Sequence, residues 1–308
     1  MSLKTASTTT ASASAAATSR PRSDLRAALL FILPASIGFL VFYLWPTLRG
    51  FYLSFTEYNL LQPPVFVGMD NYARLVQDPL FWNSLKVTVI YVVINIGLQT
   101  VVALGLAVLM HRLTKSSVIR GVVLLPYLIA NVVVALVWFW MLDAQLGIVN
   151  VMIGWVGIDP IAFLGDPTWA MPTIALINVW RHLGYTALLI FAGLQTIPST
   201  VYEAAALDGS SEWRTFWRIT VPLLRPVLVL VLVLTVIGSF QVFDTIAVTT
   251  AGGPVHATRA IYFYIYEQAF TRFAFGYASA LSVVLFLILA GVAVAQMKLL
   301  RADQSDLA

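Results

Sequence analysis

Few side chains in this sequence are of types that do covalent chemistry. There is no cysteine among the 308 residues, which removes thiol nucleophiles, disulfides and thiolate metal sites together. The three histidines, His111, His182 and His256, lie far apart and lack the spacing that metal ligands share. No HExxH or GxSxG pattern occurs, so neither a zinc hydrolase nor a serine nucleophile is encoded. Nucleotide chemistry fails the same way. A phosphate-binding loop needs a lysine directly after glycine, whereas Lys4, Lys86, Lys115 and Lys298 follow Leu, Leu, Thr and Met. The expectation is a chain with no catalytic residue, no metal site, no cofactor of its own and no nucleic-acid partner.

The informative side chains are polar ones stranded in long apolar runs. A charged group in the middle of a membrane span costs about 2.5–3.5 kcal/mol on insertion scales, so it marks a cavity or a protein contact. Arg181, His182 and Asn178 sit inside one apolar run, and Gln241 and Asp244 near the end of the next. Asn131 stands in an earlier run, as do Asn95 and Gln99. Arg181, Asn178, Gln241, Asp244 and Asn131 are the candidates for a substrate path. A second reading stays open for each, a structural pair or an interhelical hydrogen bond.

A third informative stretch is the loop 197–222. Pro198 stops one apolar run, and Thr200 with Glu203 fits a capping box that would start a new helix. Glu203, Ala204, Ala205, Ala206, Leu207 and Asp208 read as a short helix, and Gly209 can supply its left-handed end. A second segment runs from about Ser211 to Ile219, and Pro222 opens the next span. The small alanine face would let a partner dock closely.

The elements that carry these residues are set by composition. The chain is 60% hydrophobic and 10% charged, against about 45–50% and 25% in soluble domains. It is therefore an integral membrane protein. Spans fall at roughly 27–48, 84–110, 118–142, 169–194, 222–245 and 277–299. Segments such as Val227–Ile237 are apolar all round, which speaks against a β-barrel and for an all-α polytopic bundle of about six helices. Residues 1–26 form a disordered tail, 27–300 the membrane domain and 301–308 a second tail. Twelve of the 18 basic residues flank the side that holds both termini, which places the termini in the cytoplasm. The aromatics Tyr262 to Tyr277 fit an interfacial belt, with sugar stacking or docking of a partner as the sharper alternative.

Glu203-Ala204-Ala205, Asp208-Gly209, Ile219 and Pro222 together resemble the EAA motif of the membrane subunits of binding-protein-dependent ABC importers. Val221 stands where that family usually has leucine. Pro46 to Phe55, Phe66 to Tyr72, Asp78 to Trp82 and Gly252-Gly253-Pro254 are similar to the carbohydrate-uptake branch. The resemblance implies the type I importer permease fold, and implies that Glu203, Ala204, Ala205, Asp208, Gly209, Ile219 and Pro222 couple the chain to an ATPase. It further implies a second permease subunit, two ATPase subunits holding ATP and Mg, an extracytoplasmic binding protein and a bacterial inner membrane. A stand-alone secondary transporter or channel is the alternative, and it would need a coupling-ion site or charged relay at mid-membrane.

Overall fold

Inside lipid only a helix satisfies the backbone of a single segment, and the apolar runs fold accordingly. A computed structural model describes residues 22–113 and 116–299. The expected tails, up to residue 21 and from 301 on, lie outside the described residues, as does Lys115. The chain forms two units, one ending at Gly50 and one beginning at Phe51. In the first, α1 (Arg22–Phe39) passes through a π-helical turn at Leu40–Leu44 into α2 (Trp45–Leu53). Helix begins at Arg22, inside the stretch expected to be disordered tail to residue 26. The run Ala28–Leu53 is long and apolar enough to cross a membrane.

The second unit begins with a short antiparallel ladder, β1 (Thr56–Glu57) against β2 (Val65–Phe66). Then come α3 (Asp70–Gln77) and α4 (Pro79–Leu113). With 35 residues at 1.5 Å each, α4 is about 52 Å long against about 30 Å of hydrocarbon. It therefore overruns the expected span 84–110 at both ends. Asp78 starts it, its Oδ1 accepting from the Leu80 N–H at 2.9 Å, and Pro79 fills the first position, where no N–H is needed.

The expected third span, 118–142, is not one straight helix. It is α5 (Ser117–Leu128) and α6 (Asn131–Met141), bent by 87°. Ile129 and Ala130 are extended, and Pro126 already removes a backbone donor from the last turn of α5. Among the described residues, five helices are long and apolar enough to cross a membrane, or six if this bent pair counts as one span.

After α7 (Ile148–Gly154) comes α8 (Ala170–Leu194), then α9 (Ser199–Leu207) and α10 (Glu212–Thr215). A π-helical turn at Phe216–Thr220 leads through α11 (Val221–Leu223) into α12 (Arg225–Phe240). The chain breaks at Gln241–Phe243 and resumes as α13 (Asp244–Thr249). The outer segment expected as a loop is partly helical, with α14 (Ile261–Tyr266) and a π-helical turn at Glu267–Thr271 before α15 (Phe275–Leu299).

Two large apolar clusters, with a small third one around Val134, Leu142 and Ile177, hold the second unit together. At one end Ala103, Ala107, Ala187, Ile190, Leu194 and Leu224 pack around α4, α8 and α12. The fully buried alanines let α4 and α8 approach closely. At the other end Tyr91, Ile174, Ile246, Ile261 and Leu281 form the larger cluster. Gly184 admits α5 to α8: a Cβ there would collide with the carbonyl oxygen of Val123.

The first end also carries the chain from α9 to α11, where Arg112 pairs with Glu212 at 2.6 Å. Both side chains are exposed, so this pair adds little stability. The other end is tied by Asp78. Its Oδ2 accepts from the hydroxyls of Tyr264 and Tyr277, and the Arg74 guanidinium lies 4.2 Å from the Tyr277 ring. Burial works against the charged carboxyl, but the two tyrosines and the amides of Leu80 and Phe81 outweigh it and hold Asp78 below the usual carboxylate range. Burial and the bond to Asp78 push the Tyr264 hydroxyl well up. Tyr264 and Tyr277 are thus buried structural anchors and not members of an interfacial belt, whereas Tyr262, Tyr266, Phe270 and Phe273 are exposed.

Candidate functional site

On α4, Tyr91, Asn95, Gln99, Ala103 and Ala107 recur every four residues and so share one face. The ends of this stripe belong to the two apolar clusters, and its middle is polar. α8 brings Asn178, His182 and Thr186 to the same level, again four apart. α12 adds Ser239, and the break after it adds Gln241 and Asp244. These groups line an open-sided cavity with about 760 Å³ of atom-free space, part of it continuous with the outside.

The polar walls are fixed by one another. Asn95 Nδ2 donates to Gln99 Oε1 at 3.2 Å and to Ser239 Oγ at 2.9 Å. Gln99 Nε2 donates to Thr186 Oγ1 at 2.7 Å. Asn178 Nδ2 donates to Thr245 Oγ1 at 3.3 Å, and Asn131 Nδ2 to Asp244 Oδ2 at 2.8 Å. The cavity thus sits where α4, α6, α8 and the broken end of α12 meet. Interhelical hydrogen bonds of this kind contribute on average about 0.6 kcal/mol each, enough in sum to fix the lining side chains.

Four of the five expected substrate-path residues, Asn178, Gln241, Asp244 and Asn131, line this cavity. Arg181 does not. Its Nη2 donates to the carbonyls of Tyr127 and Ile129, each at 3.1 Å, and Nη1 meets His182 Nε2 at 3.0 Å. These carbonyls were freed by the bend between α5 and α6. A broken backbone at membrane depth needs such a donor, and one guanidinium offers several in a fixed fork. Arg181 is therefore the cap of the bend, which corrects its expected place on the path.

Tyr91, Tyr185, Thr186, Thr235, Ser239 and Thr245 also line the cavity and were not singled out from sequence. The four-residue spacing of polar groups on α4 and α8 is the signal that could have found several of them.

The segment 197–222 was expected to meet a partner. Pro198, extended, is the residue before α9, and no side chain caps the helix. The expected Thr200–Glu203 capping box is therefore absent, because helix begins at Ser199 and Thr200 already lies inside it. The end of α9 forms as expected. Gly209 has φ +70°, its N–H donates to the Ala206 carbonyl at 3.1 Å, and that of Ser210 to Ala205 at 3.0 Å. This pair of bonds is the Schellman ending, which needs a left-handed residue. Ser211 then caps α10 by accepting from the Arg214 N–H at 3.4 Å. Glu203, Ala204 and Asp208 are at or near the surface, and Leu207 is 90% exposed, while Ala205 faces inward at 6%. Ile219 lies in the π-helical turn and Pro222 in α11, which continues within one residue into α12. A cavity of about 510 Å³, also open-sided, lies among α9, α10 and the end of α4 and is lined by His111, Tyr202 and Phe216.

Known proteins are similar to this chain along most of its length. The chain is 34% identical over 271 residues to the trehalose/maltose transport system permease protein MalF of Thermococcus litoralis, covering 87% of this chain and 92% of that protein. It is 33% identical over 269 residues to the sn-glycerol-3-phosphate transport system permease protein UgpA of Agrobacterium fabrum, covering 84% and 89%. Among solved structures, a bacterial ABC transporter involved in the import of the acidic polysaccharide alginate has a chain that superposes with a TM-score of 0.79 at 25% identity, covering 91% of this chain and 96% of that one. The fold is that of type I ABC importer permeases. Residues 99–299 match the family described as binding-protein-dependent transport system inner membrane component, so the chain belongs to that family of ABC transporter membrane subunits.

Proposed function

We propose that this chain is one of two membrane subunits of a sugar importer whose energy comes from ATP hydrolysis on separate ATPase subunits. The observation that carries the reading is the segment Ser199–Leu223. It holds an Ala-rich helix closed by Gly209 and runs almost without interruption into α12. α12 in turn ends at the cavity residues Gln241 and Asp244. A push on α9 therefore has a short path of rigid elements to the polar cavity, as a two-state transporter requires. Glu203, Ala204, Asp208 and Gly209 form the surface that meets the ATPase, and Ile219 and Pro222 pass the motion on. ATP and Mg belong to those partners. A second, different permease subunit completes the membrane unit, and an extracytoplasmic binding protein delivers the solute to the end built from α3, α13 and α14. The sugar class rests on similarity to the MalF relative and on the amide- and hydroxyl-rich cavity.

The distribution of basic residues puts both termini and the α9–α11 segment in the cytoplasm of a bacterial inner membrane. Because the chain has no cysteine, single cysteines report cleanly on these points. A cysteine replacing Leu207 is expected to cross-link to an ATPase subunit in the assembled complex and to react with an impermeant maleimide in inverted vesicles. One replacing Leu61, 90% exposed near the other end, is expected to react in right-side-out vesicles. An assembled complex in which position 207 reaches no ATPase subunit would refute the coupling assignment.

A further inference from the structure

We infer that the crevice between the end of α4 and α10 holds an anionic phospholipid, with acyl chain along Gly105 and Val108 and phosphate at Arg112. The inference needs only the membrane fold and stands apart from the coupling assignment.

The cavity of about 510 Å³ lined by His111, Tyr202 and Phe216 has a neighbour of about 440 Å³, also open-sided. The second is walled by Gly105, Val108, Arg112, Glu212, Trp213 and Phe216. Val108, Arg112, Glu212 and Phe216 border both, so the two form one crevice along α4. Gly105 lies in the apolar run of α4 and Arg112 in its basic last turn, about 10 Å apart along the helix. The crevice thus straddles the level at which hydrocarbon gives way to headgroups. Tryptophan collects at that level, because its ring is apolar and its N–H finds water. Trp213 is 73% exposed and Trp217 half-exposed, and their rings meet edge to face with centroids 5.6 Å apart. A soluble subunit can cover the Arg112 end of the crevice but does not reach Gly105 inside the apolar run. A lipid reaches both ends, chain at one and phosphate at the other.

Charge selects the headgroup. Arg112 gives Nη1 to Glu212 at 2.6 Å and stays half-exposed, and its guanidinium fork has further N–H groups to offer. Arg214 and Arg218 are exposed on the same short segment, and neither forms an ion pair among the described residues. Three arginines therefore face one carboxylate. A phosphodiester without a cation of its own fits that surplus, and basic groups clustered at a membrane surface attract such lipids. A zwitterionic headgroup carries an ammonium that the same arginines repel.

The test uses the assembled transporter in nanodiscs of phosphatidylcholine. A trace of phosphatidylglycerol, or of phosphatidylcholine, carries the same photoactivatable acyl chain, and labelled peptides are mapped by mass spectrometry. One basic residue near the surface changes anionic-lipid binding roughly fivefold. In wild type, label on 105–113 and 212–218 is expected to be at least about fivefold stronger with the anionic probe. Arg112→Gln is expected to lower that label about fivefold. Glu212→Gln breaks the same ion pair but is expected to raise it about threefold, since two like charges about 6 Å apart in water repel by that factor. Gly105→Phe, with open space around the new Cβ, fills the apolar end and is expected to abolish the preference for the anionic probe. Equal labelling by the two probes would overturn the inference, as would no label on either peptide, the result if another subunit covers the crevice. A change in the same direction in Arg112→Gln and Glu212→Gln would also overturn it, because a merely structural ion pair makes the two variants behave alike.

Discussion

Gly209 offers a graded perturbation whose size follows from backbone geometry alone. Its φ is +70°, and nothing lies within 4 Å of a Cβ built on it, so a side chain there meets no neighbour and the cost is purely conformational. A non-glycine residue in the left-handed region costs roughly 1–2 kcal/mol, which lowers the population of the correctly ended helix about 5- to 30-fold. Asparagine tolerates that region better than alanine. Proline locks φ near −65° and deletes the N–H that bonds the Ala206 carbonyl, for about 3 kcal/mol or more, a loss exceeding about 100-fold. The assay is solute uptake per ATP hydrolysed in proteoliposomes of the complete transporter. The expected order is Gly, Asn, Ala, Pro, with ATP hydrolysis persisting in Gly209→Pro while uptake fails. Full uptake in Gly209→Pro, or equal coupling in all four proteins, would refute the assignment of this helix end to coupling.

Three further outcomes follow from contacts elsewhere. In Gly184→Ala the new methyl meets the Val123 carbonyl oxygen, and overpacking of this kind costs about 1–3 kcal/mol or more; a lower thermal midpoint of the purified complex is expected, and an unchanged midpoint would mean that α5 does not press on α8. Arg181→Met leaves the Tyr127 and Ile129 carbonyls without their donor, at about 1–3 kcal/mol each, while Arg181→Lys can restore one bond; thermal midpoints in the order Arg, Lys, Met are expected, and a stable Arg181→Met would contradict the capping role. Asp78 is held below its ordinary value in the folded chain, so its contribution is complete above the unfolded value of about 3.9 and is lost as pH falls through the folded one. The difference in thermal midpoint between wild type and Asp78→Asn is thus expected to be full at neutral pH and to shrink in acid, and a pH-independent difference would show that the carboxylate charge is not what the tyrosines hold.

These contacts also show which parts of the molecule could be read from sequence. The left-handed turn at Gly209 was legible because its cause is local: a short Ala-rich helix, an aspartate and a glycine within one turn. The start of the same helix was misjudged for an equally local reason, since Pro198 takes the position before the helix and moves Thr200 inside it. The apolar excess gave the spans, because hydrophobic length is a sum over neighbours and needs no knowledge of packing. Arg181 could not be placed that way. In sequence it is a charge in an apolar run, and the carbonyls it satisfies lie 54 and 52 residues away, exposed only because α5 and α6 bend by 87°. The bend and the arginine explain each other: a broken backbone needs a fork of donors, and a guanidinium within an apolar run needs a cluster of acceptors. Neither demand is visible until both segments are brought together. The same holds for Asp78, whose partners Tyr264 and Tyr277 lie 186 and 199 residues away.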